Sequence, residues 1–145
     1  MDLTKNFPRS PKDKLAGVVM LARTLDKARA FNAGTLGEYR YDCPLDREVF
    51  EFLGIDHDDF ANKANELDDK QLEQWAQNGF VARKSAADIE KFNAEFLGDK
   101  PEPGSESEQY FLGVRNRIDP NRTDVVTWAQ LLDLEEGRAP LQVSA

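Results

Sequence analysis

Cys43 is the residue of this chain with the strongest intrinsic nucleophilicity, and it stands directly before Pro44 in GTLGEYRYDCPLD, residues 34–46. A thiol attacks as its thiolate, and a helix N-terminus favours that form. Pro44 suits the first position of a helix, which would set Cys43 at such an N-terminus. The remainder of a nucleophilic site is not legible, because a cysteine hydrolase needs a base and an orienting group and the only histidine is His57. A free cysteine is also among the residue types most often buried. The expectation is an inert core thiol. The glycines at 34 and 37 lack the spacing and the GK[ST] ending of a phosphate loop; they read as a helix stop and a turn. Asp56 and Asp59 of DHDD read as helix-capping residues rather than as metal ligands.

Cations form a second candidate. Arg23, Lys27 and Arg29 fall within one helical stretch, and Arg115, Arg117 and Arg122 surround the polar segment RNRIDPNR. Guanidinium groups suit carboxylate and phosphate recognition. Residues 1–40 carry eight Lys/Arg against four Asp/Glu, whereas the rest of the chain is strongly acidic. Arg23 and Lys27, at i and i+4, share a face that Leu15, Val18 and Leu25 do not occupy. Tyr39 and Tyr41 could add hydroxyls and flat apolar walls. The expected site for a small anionic ligand is therefore Arg23, Lys27, Arg29, Tyr39 and Tyr41, with Arg115 and Arg117 approaching from a later helix. The competing reading pairs these cations internally, with Asp26 serving the first cluster and Asp119 and Asp124 the second.

Carboxylates form a third. Glu48-x-x-Glu51 precedes Glu66-x-x-Asp69 by fourteen residues. This resembles the spacing by which all-α nucleotide pyrophosphohydrolases of the MazG type hold Mg²⁺ from two helices. The chain is rich in acidic residues, so such pairs also arise by chance. Glu66 to Asp69 moreover crosses an expected helix boundary.

The elements that must position these groups are almost all helices. Ser10, Pro11 and Asp13 read as a helix start, and Leu15, Val18, Val19, Ala22 and Leu25 recur at helical spacing, predicting a first helix over 11–33 that Gly34 ends. Alternation in EYRYDC predicts an extended piece. Further helices are expected from Pro44 to before Gly54, at 57–66, at 69–78 and at 86–97. A sixth is expected after the Ser105/Glu108 capping box, and a last one after Thr127/Gln130, with Val126 and Leu131 as a staple and Gly137 as its end. YRY, FVA (80–82) and DVV (124–126) are too few to support a sheet. The predicted fold is all-α: one domain over 1–145, an irregular bundle of about six to eight helices. It has an N-terminal arm (1–10), a flexible loop (99–105) and a loose tail (138–145).

With 145 residues, 40% apolar and 32% charged, the chain suits a globular protein large enough for a real core. A net charge of −8 argues against general nucleic-acid binding. MDLTKNFPRSPKDK lacks the apolar core of a secretory signal, and no apolar run is long enough to span a membrane. A single cysteine suits a reducing compartment, so the expected location is the cytoplasm.

DKARA (26–30), GTLGEYRYDCPLD, FLGI (52–55) and TDVVTWAQLLDLEEGR (123–138) occur together and in order. In these motifs the chain resembles the bacterial family known as domain of unknown function 5069, and the resemblance runs from DLTKNFPRSP to EEGR. It implies a small, self-contained bacterial protein and brings no activity, cofactor or catalytic residue. The functional expectation is a non-enzymatic accessory protein that binds a small anionic ligand or a protein partner, without a cofactor. A Mg²⁺-dependent nucleotide pyrophosphohydrolase and an oligomer-forming interaction protein are the alternatives.

Overall fold

The computed structural model of the protein describes residues 1–138; the tail expected from 138 onward lies, after Arg138, outside the described residues. The architecture is mostly helical. A hairpin of β1 (Lys14–Leu15) and β2 (Val18–Val19) is followed by α1 (Leu21–Ala33), α2 (Pro44–Leu53), α3 (His57–Glu66) and α4 (Asp69–Gly79). A 3-10 turn at Val81–Arg83 leads to α5 (Ala86–Gly98), α6 (Glu106–Ile118) and α7 (Trp128–Glu135). Two compact units emerge, Met1–Asn93 and the residues from Ala94 onward.

In the first unit α1 packs on α3, α2 and β1. Val18, Val19, Leu21, Leu25, Val49, Phe60, Leu72 and Ala76 are fully buried. Aromatic rings run in contact from Phe31 through Tyr41, Phe50, Phe60 and Trp75 to Phe80. The N-terminal arm lies against this unit: Leu3 is buried, and its N–H donates to the Thr35 carbonyl at 2.9 Å.

The first helix is shorter than its apolar pattern predicts. Residues 11–20 form a turn and the hairpin instead. Ala16 and Gly17, at φ 52° and 78°, make the two-residue turn, with both central residues at positive φ as a type I′ turn requires. Val18 and Val19 are β-branched and favour strand. Met20, at φ 71°, then blocks helical continuation, so α1 starts at Leu21. Ser10 and Asp13 do bond as a helix start would, with the Ser10 N–H donating to Asp13 Oδ2 at 3.1 Å, but they close only a local turn. The outer strand is capped by a side-chain amide: Val19 N–H donates to Asn93 Oδ1 at 3.0 Å, and Asn93 Nδ2 donates to the Gly17 carbonyl at 2.9 Å.

EYRYDC, expected to be extended, is a turn region without strand pairing. Asp42 sits there at φ 60°, in the left-handed region that Asp tolerates better than most residues. FVA becomes the 3-10 turn. The helices from α2 to α7 start where their caps predict. In the second unit Phe111, Val125, Leu131 and Leu134 form the core, with Leu112, Val114 and Trp128 against it. Val126 remains 47% exposed, and its N–H donates to Gln130 Oε1 at 2.9 Å. The loop after α5 is tied down at its start, where the Asp99 carbonyl accepts the Trp128 N–H at 3.1 Å and Pro101 is buried.

Candidate functional site

Two of the three residues of the first cation cluster, Arg23 and Lys27, lie inside the protein, and Arg29 is half-buried. Because α1 begins at Leu21 and is covered along most of its length, Arg23 and Lys27 are 2% and 4% exposed. A buried cation needs partners, and each has them. Lys27 Nζ lies 2.8 Å from Asp46 Oδ2 and 3.2 Å from Cys43 Sγ. Asp46 is the third residue of α2, where its Oδ2 also accepts the Cys43 N–H at 3.2 Å, and its Oδ1 accepts the Thr24 hydroxyl at 2.7 Å. Asp46 thus joins the helix start to α1 with both oxygens engaged.

Arg23 donates from Nη1 to the Arg9 carbonyl at 3.2 Å, and its guanidinium lies 5.6 Å from the centre of the Tyr39 ring. Arg9 in turn clamps Asp26 through its backbone N–H at 2.8 Å, Nε at 3.1 Å and Nη2 at 3.2 Å. Arg29 reaches the Asp69 carboxylate and the Leu67 carbonyl. The hydrogen bond from Arg29 holds the Asp69 carboxyl below the ordinary range. The Tyr41 ring sits between Phe31 and Phe50, and its hydroxyl donates to the His57 carbonyl at 2.6 Å. Burial, reinforced by the negative field of Asp46 and Asp42, pushes that phenol well above its usual range.

Five of the seven residues expected to bind an anion therefore lie in the first unit, joined to internal partners. Arg115 and Arg117 belong to the second unit. Arg115 donates to the Val125 carbonyl at 3.4 Å. Arg117 is exposed and lines a groove of about 460 Å³ with Tyr110, Val114, Ile118 and Glu135. Arg122 forms a two-point pair with Asp124, at 2.9 Å through each nitrogen.

The four carboxylates of the hydrolase alternative have different surroundings. Asp69 is held by Arg29, and Glu66 lies 3.5 Å from Lys63. Glu51 lines a cleft of about 410 Å³ with Asp42, Arg47, Phe50, Ile55 and His57, and Glu48 lies on the exposed side of α2. No group of three or more His, Cys, Asp or Glu able to hold a metal occurs among the described residues. Within the cleft Asp42 lies 3.4 Å from the Arg47 guanidinium and 3.7 Å from the His57 imidazole.

Sequence reasoning missed the Asp46, Thr24 and Arg9 contributions. One signal for Asp46 was present: it stands three residues after Cys43, at the third position of a Pro-initiated helix, where a side chain can return to the cap N–H.

A mostly all-α protein with a buried Lys–Asp–Thr centre is the class that these features define. The chain belongs to the family described as a domain of unknown function (DUF5069), whose sequence pattern matches residues 5–138. No curated protein matches the chain at a significant level. Among the described residues no helix is long and apolar enough to cross a membrane.

Proposed function

We propose that this is a cytoplasmic, non-enzymatic accessory protein that acts by binding a protein partner, and that α6 is its recognition surface. The observation that carries this reading is the exposed stripe on α6. Tyr110 is 65% exposed and Ile118 45% exposed, one turn to either side of Val114, in the groove that Arg117 and Glu135 flank. Contiguous exposed apolar groups with a polar rim are characteristic of interaction sites, and Tyr and Arg are the types that most often carry binding energy. The small-anion reading is weaker, because Arg23, Lys27 and Arg29 already serve Arg9, Asp46 and Asp69. The single cysteine supports the cytoplasmic location.

The test is site-specific photo-crosslinking in the cells that naturally make the protein. A benzophenone side chain is installed at position 110 or, as a control, at exposed position 70 on α4. A discrete adduct from position 110, absent from position 70 and abolished by Ile118→Asp, is the expected result. No adduct at position 110, or equal adducts at both positions, overturns the reading.

A further inference from the structure

We propose that the occupant of the α6 stripe is a second copy of this chain, docked with the two α6 helices antiparallel about a twofold axis. This rests on the partner reading above and names the partner. The argument comes from how charge is laid out along α6. Its first turn is acidic, with Glu106 and Glu108, and its last turn is basic, with Arg115 and Arg117. The apolar residues Tyr110, Val114 and Ile118 lie between or beside these ends.

A partner of uniform charge would meet like charge at one end of this stripe. A second α6 running the opposite way meets opposite charge at both ends. Residues 106 and 117 are eleven apart, which at 3.6 residues per turn leaves them about 20° from each other around the helix axis. They therefore flank the same edge of the stripe at opposite ends. A twofold axis through the middle of α6 sets Glu106 beside the partner's Arg117, and repeats that pair by symmetry. It also sets Tyr110 against the partner's Val114. Such self-complementarity is what an isologous interface requires. Antiparallel helix dipoles add a favourable term of the same sign.

The chain's net charge of −8 opposes self-association. Local pairing at both ends of α6 is what offsets that repulsion. One helix pair spans roughly 20 Å, so the contact falls at the small end of specific interfaces and the dimer is correspondingly weak.

The experiment is sedimentation velocity on the full chain over about 1–500 µM, a range that brackets the affinity of a small interface. A monomer–dimer equilibrium is expected. Tyr110→Ala and Arg117→Glu should each raise the dissociation constant about tenfold or more. The double variant Glu106→Arg/Arg117→Glu restores both cross-pairs in reversed polarity, and should dimerise within about threefold of the parent. Circular dichroism establishes that each variant is folded. A chain that stays monomeric throughout overturns the inference. So does a dimer indifferent to both single variants, or a double variant no tighter than Arg117→Glu. If the chain is monomeric but the probe at position 110 captures a different protein, the second-copy inference fails and the partner reading stands. If position 110 captures nothing, the partner reading itself fails.

Discussion

Lys27 and Asp46 meet at 2.8 Å with side chains 4% and 0% exposed, joining α1 to the first turn of α2. Removing two charges from water is costly, and their attraction compensates only when the remaining hydrogen-bonding capacity is also met. Here it is met in large part by the Thr24 hydroxyl and the Cys43 N–H on Asp46, and by the Cys43 sulfur beside Lys27. Such a pair is expected to specify how α1 and α2 dock more than to add net stability.

That view makes an asymmetric prediction. Lys27→Met leaves Asp46 buried without its cation and should cost about 3–5 kcal/mol. Lys27→Met/Asp46→Leu removes both charges and should recover most of that loss. Urea denaturation of the parent, both single variants and the double variant measures the coupling. A double variant as unstable as the sum of the singles would mean that the pair does not act as a unit.

The hairpin turn makes a second prediction. Gly17 is at φ 78°, and a Cβ added there would meet nothing within 4 Å. Gly17→Ala should nonetheless cost about 1 kcal/mol, because the left-handed backbone itself disfavours a Cβ. Ala16, at φ 52°, already carries that penalty. Ala16→Asn should therefore stabilise by roughly 0.5 kcal/mol, since Asn-Gly is the preferred pair for this turn. Opposite shifts in melting temperature are the expected readout; two shifts of the same sign would refute the turn assignment.

The same turn shows why part of the fold was illegible in the sequence. Leu15, Val18, Val19, Ala22 and Leu25 satisfy helical spacing, yet the first three lie in strands. Residues 16 and 17 decide the outcome, and Ala-Gly is a weak turn signal beside Asn-Gly. Where the signal was local and bonded, it was legible. Thr127 accepts the Gln130 N–H at 3.2 Å and Gln130 returns a carbonyl oxygen to the Thr127 N–H at 3.0 Å, as the capping box predicts. The site was less legible because burial is a tertiary property. Spacing put Arg23 and Lys27 off the main apolar stripe, but the arm, the loop and α2 cover that face too. Their partners Arg9 and Asp46 stand 14 and 19 residues away, beyond the reach of any i, i+4 rule.

The last prediction concerns acid stability and the Arg29–Asp69 bridge. The hydrogen bond from Arg29 lowers the Asp69 pKa in the folded state from its ordinary 3.8. A carboxyl whose folded pKa is depressed binds its proton more readily in the unfolded chain. Its contribution to stability is thus fully present above about pH 3.8, declines as the pH falls below that value, and is gone once the pH has dropped through the lowered folded value. The Asp69 side chain is 67% exposed, so solvent screens the bridge and the effect is small. Arg29→Gln should lower the melting temperature slightly at pH 6. The gap to the parent should then close as the pH falls below 3.8. Carboxyl NMR titration should place Asp69 below the ordinary aspartate value in the parent and nearer to it in Arg29→Gln. A gap that widens in acid, or an Asp69 titration unmoved by the substitution, would show that Arg29 is not what holds the carboxylate ionised.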